Sequence, residues 1–243
     1  MKIVILAAGT GSRLGPLTRN TPKSLLDLGH GLTLLETQLN AIKRSGLREV
    51  VLVTGYLSEQ IEAKIQAYDD FDFEVVYNPF FDSSNNLVSA WMAMPYVSDS
   101  FVIVNGDDVF RPEVLERLLV AEGNAVMVVS QKDSYDEDDM KVHTVGDSVR
   151  KVSKELSVEE ANGESIGMIK FSKAGRGWFF GELDRAVRGK AALDWYYLRA
   201  LQNMMDDGLS VNYSLCKPNE WAEIDFHPDL VTIKERLSRE LLP

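Results

Sequence analysis

Gly9, Gly11 and Gly15 follow closely on a short apolar run, Ile3 to Leu6, with Arg13 among them and Lys23 just after Pro22. A glycine-rich turn at the end of a buried strand lets the backbone approach a bulky anion and aims several N–H groups at it. Arg13 adds a planar fork of donors, and Lys23 adds a point charge. These types at this spacing point to a cradle for a nucleoside triphosphate. Its wall runs through Leu6, Ala7, Ala8, Gly9, Thr10 and Gly11 to Arg13, and it is completed by Lys23. The Gly-x4-Gly-Lys-Ser/Thr string of a P-loop is absent. A dinucleotide fingerprint is absent too: Leu14 takes the place of a required glycine, and Thr54 and Gly55 take that of the acidic residue.

The elements that must hold this cradle alternate along the first half of the chain. Strands are expected at 3–6, 50–53, 73–77, 101–104 and 125–130, where β-branched and apolar residues run together. Between them, helices are expected over 34–45, stopped by Gly46, after a cap at Ser58, over 87–94, and from Pro112 to Ala121. That alternation predicts an α/β fold with a mostly parallel central sheet and helices on both faces. Ligands of such a sheet bind at the carboxyl ends of its strands. The cradle and the Gly106-Asp107-Asp108 turn after the fourth strand therefore face one pocket. Beyond residue 130 the pattern changes. A charged loop (132–141) precedes a hairpin (142–152) around Gly146-Asp147, then a strand (166–171), helices (175–188 and 194–205), a late strand (211–215) and a terminal helix (229–241). No linker or repeat divides the 243 residues, so one domain is expected. Residues 1–130 would bind nucleotide, and 131–243 would supply a small β-rich acceptor side and the C-terminal part.

The string LAAGTGSRLGPLTRNTPKS, from Leu6 to Ser24, resembles the signature of the sugar-phosphate nucleotidyltransferase family. The resemblance implies a single-domain, Rossmann-like fold that joins a nucleotide to a phosphorylated small molecule and releases pyrophosphate. It also implies Mg²⁺ as cofactor, with Asp107 as one ligand and Asp225 as the other. Asp225 lies in WAEIDFHPDL, which is similar to a late acidic segment of the family. Because the aspartate is doubled, Asp108 competes with Asp107 for that role. Hard oxygen ligands suit magnesium, and a metal keeps carboxylates from repelling phosphates. Arg13, Lys23 and Asp107 are the expected catalytic residues. No nucleophilic side chain is needed, because the reaction asks mainly for positioning and charge neutralisation.

The base and the acceptor are less sharply written. Ser84, Asn86 and Ser89 lie in SSNNLVS, whose amides and hydroxyls can read a base edge. This segment resembles the choline-phosphate cytidylyltransferase branch, as does Glu164-Ser165-Ile166-Gly167, and both point to CTP. For Asn85 and Asn86, helix capping is the competing reading. Trp195 and Tyr196, with Trp178 and Tyr197, could box a quaternary ammonium, helped by Glu164 and Asp194. Core packing is the rival account of these aromatics. Choline phosphate, 2-aminoethylphosphonate and a polyol phosphate all fit as acceptors. A sugar-1-phosphate nucleotidyltransferase using UTP, dTTP or GTP is the alternative, and a non-catalytic nucleotide-binding regulator is the alternative of another class.

The formal charge of −11, from 37 acidic and 26 basic residues, argues against nucleic acid or an anionic membrane as partner. The single cysteine, Cys216, excludes an internal disulfide. With no signal peptide or membrane span legible, a cytoplasmic protein is expected. His30, His143 and His227 show no zinc spacing. The family resemblance also allows a homodimer.

Overall fold

A computed structural model describes residues 1–29 and 31–236. His30 and the end of the expected terminal helix, 237–241, lie outside the described residues. In chain order the elements are β1 (Lys2–Leu6), α1 (Leu34–Arg44), β2 (Glu49–Thr54), α2 (Ser58–Ile65), β3 (Asp72–Tyr77), α3 (Asn86–Ala93), β4 (Phe101–Asn105), β5 (Asp108–Phe110), α4 (Pro112–Val120) and β6 (Ala125–Ser130). They continue with β7 (Lys141–Val145), β8 (Ser148–Ser153), β9 (Gly163–Phe171), α5 (Lys173–Val187), α6 (Leu198–Asp206), β10 (Val211–Cys216), β11 (Trp221–Glu223) and α7 (His227–Arg236).

Nine strands form one sheet in the order β3-β2-β1-β4-β9-β6-β10-β8-β7. The β3-β2-β1-β4 half is parallel throughout. β9 runs antiparallel between β4 and β6, and β8 runs antiparallel to β10. The sheet is therefore mixed, with two strands reversed among the others. Apolar side chains leave its two faces into separate buried clusters. One gathers Val4, Val51, Ile103 and Phe171 under α3, α5 and α6, and the other gathers Ile5, Leu52 and Val104 under α1, α2 and α4. The expected β-rich insertion is the β7–β8 hairpin, with Gly146 at φ 57° in its turn. It pairs with β9 and β10 and so extends the main sheet.

Two local expectations change. Ser58 does not cap α2: Leu57 holds the N-cap position in the left-handed region at φ 51°, and no side chain caps the helix. The helix expected over 194–205 begins only at Leu198, because Ala192–Asp194 forms a separate 3-10 turn and Trp195 is extended at φ -92°, ψ 143°, for reasons given below.

α1 is set by a capping box, in which Thr33 and Glu36 satisfy each other's backbone N–H groups. Glu36 also meets Lys64 at 2.8 Å and the Tyr68 hydroxyl at 2.9 Å. Burial would raise its pKa, but these partners hold it down to about 2, against an ordinary 4.5. A depressed carboxylate stabilises the fold above its unfolded pKa and loses that contribution as pH falls through the folded one. Glu36→Gln should therefore lower stability by about 1–3 kcal/mol at pH 7. In urea melts across the acid range, the gap between variant and parent should close as pH falls from about 4.5 to about 2.

Candidate active site

β1 and β4 are neighbours in parallel register, with Leu6 opposite Asn105. Their carboxyl ends are drawn together by the Gly106 N–H donating to Leu6 O at 2.9 Å. The chain after β1 leaves the sheet at Ala8, whose carbonyl accepts from Tyr56 N at 3.0 Å, and enters a tight 3-10 turn at Ser12–Thr18. Gly11 opens that turn in the left-handed region at φ 62°. A Cβ there would press on Thr18 and Lys23, so glycine is needed for both conformation and space. The Thr18 hydroxyl donates to Gly11 O at 2.9 Å and locks the turn. Among the described residues, the N–H groups of Gly9, Thr10 and Gly11 have no partner within the protein. They form the edge of a cavity of about 350 Å³.

Opposite the cradle stands a cluster of charge. Lys23 Nζ lies 2.7 Å from Asp107 Oδ2 and 2.9 Å from Asp225 Oδ1. Arg13 reaches the other Asp225 oxygen at 2.8 Å and lies over the Phe226 ring. Burial alone would lower the pKa of Lys23, but Asp107 and Asp225 hold it well above the ordinary lysine value. The Asp225 backbone is fixed by Asp229, which accepts from the N–H groups of Asp225 and Phe226 at 3.0 and 2.6 Å.

Glu223 is the third acid here. The short β5–β11 ladder sets Glu223 opposite Asp108 and swings it toward the cavity. Carboxylate oxygens of Asp107, Glu223 and Asp225 all lie within 4.8 Å of one another. Burial first, then the charges of Asp107 and Asp225, push the Glu223 pKa up to about 8. Two cations face three acids, so a further positive charge is needed before Glu223 can join Asp107 and Asp225 as a carboxylate. All the donors are oxygen, which suits a hard divalent cation. Asp108 points the other way. It is 1% exposed, off the cavity wall, with Oδ2 buried and unpartnered, and burial and its acidic neighbours push its pKa well up.

The same cavity is walled on a second side by Ser84, Asn86, Ser89 and Asn78. Ser89 is buried and accepts from Asn78 Nδ2 at 2.9 Å, while the Ser84 hydroxyl is turned back onto Phe80 O at 2.7 Å. Neither Asn85 nor Asn86 caps α3 through its side chain. A third side carries Glu164, Tyr196 and Lys154. Glu164 sits at the start of β9, whose register slips at Gly167 (φ 73°), close against Asn105. Glu164 is 5% exposed and meets Lys132 at 2.9 Å; burial raises its pKa to about 7 despite that lysine. Lys154 is half-buried over the Tyr196 ring at 5.2 Å and has no carboxylate partner among the described residues.

Of the expected acceptor residues, Asp194 and Trp195 stand apart from this cavity. They line an adjoining hollow of about 590 Å³ that shares Met140, Lys154, Tyr196 and Leu198 with it. The aromatic box does not assemble. Trp178 packs against the core, Trp195 lies under Arg199, and Tyr197 is fully buried with its hydroxyl on Gly167 O at 3.1 Å. Sequence reasoning missed Glu223, Asn78 and Lys154. Glu223 stands in the quoted WAEID string, two residues from Asp225, and that was its only signal.

The structure superposes on the inositol-1-phosphate CTP transferase from T. maritima with TM-score 0.81 at 22% identity, covering 100% of this chain and 98% of that one. It matches the CTP:phosphocholine cytidylyltransferase from Streptococcus pneumoniae with TM-score 0.79 at 23% identity, over 97% and 98%. By sequence, the chain is 33% identical over 111 residues to the choline-phosphate cytidylyltransferase of Streptococcus pneumoniae, covering 46% of this chain and 47% of that protein. The match thus spans about half the length of that relative. Identity is 26% over 256 residues with the CTP:phosphoglutamine cytidylyltransferase of Campylobacter jejuni, across 95% of this chain and 98% of that one. Residues 3–173, from β1 through β9, match the MobA-like NTP transferase domain, and the chain belongs to that family.

Proposed function

We propose that the chain transfers CMP from CTP to a small phosphorylated or phosphonylated acceptor and releases pyrophosphate. The observation that carries this reading is the facing of two opposite features in one cavity: unpaired cradle N–H groups on one wall and the Asp107-Glu223-Asp225 cluster on the other. An acceptor oxygen forms a bond to the α-phosphorus, the bond from that phosphorus to the β-phosphate oxygen breaks, and the electron pair leaves with pyrophosphate. Arg13 and the N–H groups of Gly9, Thr10 and Gly11 bind the outer phosphates. Lys23 bears on the α-phosphate, where charge gathers in the transition state. Lys154, the half-buried cation without a carboxylate, meets the acceptor's phosphate or phosphonate. Asp107, Glu223 and Asp225 would hold Mg²⁺, which when bound neutralises phosphate charge and fixes the α-phosphate. Ser84, Asn86 and Ser89 read the base.

Support for CTP over other triphosphates comes from relatives that use it, including the one aligned along nearly its whole length. Trp195 and Tyr196 carry cations on their faces already, which weakens the case for a quaternary ammonium held in an aromatic box. Four triphosphates should be crossed with choline phosphate, 2-aminoethylphosphonate, glycerol phosphate and glucose 1-phosphate, and pyrophosphate release measured. CTP with one of the first three acceptors should release it, and EDTA should stop the release. Release only with UTP and glucose 1-phosphate would transfer the chain to the sugar-1-phosphate reading.

A further inference from the structure

The acceptor-side segment 193–197 hangs on the first turn of α3. Asn85 N donates to Leu193 O at 2.6 Å, and Leu87 N donates to Trp195 O at 3.3 Å. Side chains add to the ladder: Asn85 Nδ2 donates to Asp194 O at 3.2 Å, and Asn86 Oδ1 accepts from Tyr197 N at 3.0 Å. A helix start leaves its first N–H groups unpaired. Here the carbonyls of the passing segment take two of them where a capping side chain would otherwise stand. A backbone N–H can only donate, so the Asn86 atom facing Tyr197 must be oxygen, which fixes the orientation of the amide. Its Nδ2 is left without a partner among the described residues, on a side chain that lines the cavity.

We propose that Asn86 acts at once as a base reader and as a positioning residue for the acceptor wall. Its oxygen holds Tyr197 in place, and with it Tyr196, the wall residue under Lys154. Its amide hydrogens meet the nucleotide. Resting on the cytidylyltransferase reading above, this makes the two substrates cooperative: nucleotide bound to the amide steadies the wall that the acceptor must find. Of the four hydrogen bonds that join this segment to α3, the one to Asn86 Oδ1 is made by a side chain that also lines the nucleotide side of the cavity, so deleting that oxygen should loosen both.

Two variants separate the roles. Asn86→Asp keeps the oxygen that Tyr197 needs and deletes the amide hydrogens, whereas Asn86→Ala deletes both. Hydrogen exchange over 193–197 should slow by about tenfold when CTP and Mg²⁺ are added to the parent protein, a factor within the usual range of coupling between ligands. Without nucleotide, Asn86→Ala should speed that exchange while the β1 and β4 peptides stay protected, and Asn86→Asp should not. In steady state, Asn86→Asp should raise KM for CTP and leave KM for the acceptor within about twofold, the scatter of ordinary surface changes. Asn86→Ala should raise both. Unchanged exchange over 193–197 in Asn86→Ala, or an acceptor KM unmoved by it, overturns the proposal. If no triphosphate and acceptor pair releases pyrophosphate, the functional reading fails instead, and the nucleotide-free exchange still decides whether Asn86 holds the wall.

Discussion

Replacing Lys23 with alanine should lower turnover by about two to three orders of magnitude, the usual cost of removing a donor aimed at developing charge. The structure adds an effect on stability. Lys23 is 14% exposed and lies between Asp107 and Asp225, so its removal leaves two carboxylates facing each other and Glu223. Stranding one side of a buried ion pair costs about 3–5 kcal/mol. The chemical and structural losses can be separated. Lys23→Met combined with Asp225→Asn removes charge from both sides and should recover much of the stability, but no turnover. The pKa of Lys23 is held high by the two aspartates, so the lysine itself stays charged from acid to mildly alkaline pH. Near-parental turnover in Lys23→Ala, with pyrophosphate release as the readout, would remove this side chain from the reaction.

Gly106→Ala should be nearly as damaging without touching a charged group. A Cβ at 106 would sit 2.5 Å from Leu6 O and 2.9 Å from Ala7 Cα, both backbone atoms that cannot swing aside. To make room, the end of β4 must part from the cradle, and the hydrogen bond from Gly106 N to Leu6 O goes with it. Overpacking of this kind costs about 1–3 kcal/mol. Asp107 is the next residue, and a shift of about 1 Å in a reacting group can cost on the order of a hundredfold in rate. A thermal melt should show the variant folded but less stable, with kcat reduced more than KM is raised. An unchanged kcat would mean that the two strand ends are not held in register for catalysis.

The phosphate half of the site was legible because it is local. The cradle glycines, Arg13 and Lys23 lie within one short stretch, and that stretch is followed by strands whose apolar runs leave little choice of structure. The acidic half was only partly legible. Asp107 and Asp225 could be named, but the presence of Glu223 depends on β5 and β11 pairing with Glu223 opposite Asp108. Two strands of three residues each carry no period to read. The same pairing turns Asp107 to the cavity and Asp108 away from it, which a doubled aspartate cannot reveal. Apolar spacing over 194–205 imitates a helix throughout, yet the helix is broken at the extended Trp195, and the carbonyls of Leu193 and Trp195 accept from the start of α3 instead. Ser58 has the right side chain for a cap and the wrong backbone before it, since Leu57 enters the helix left-handed. Nothing around Lys154 in sequence marks it, because its meaning comes from standing without a carboxylate in a chain of formal charge −11.

β9 lies reversed between β4 and β6, and this has a consequence for how the molecule can diversify. A parallel strand delivers the loop that follows it to the ligand. A reversed one delivers the loop that comes before, so the residues from 131 to 162 arrive at the cavity through Glu164 without passing under the cradle. That stretch can be lengthened, shortened or exchanged provided that its hydrogen bonding to β9 and β10 and the core packing of Val142, Val149 and Val152 are kept. Chimeras that graft a different 131–162 onto this scaffold should trade one second substrate for another while keeping the same appetite for triphosphate.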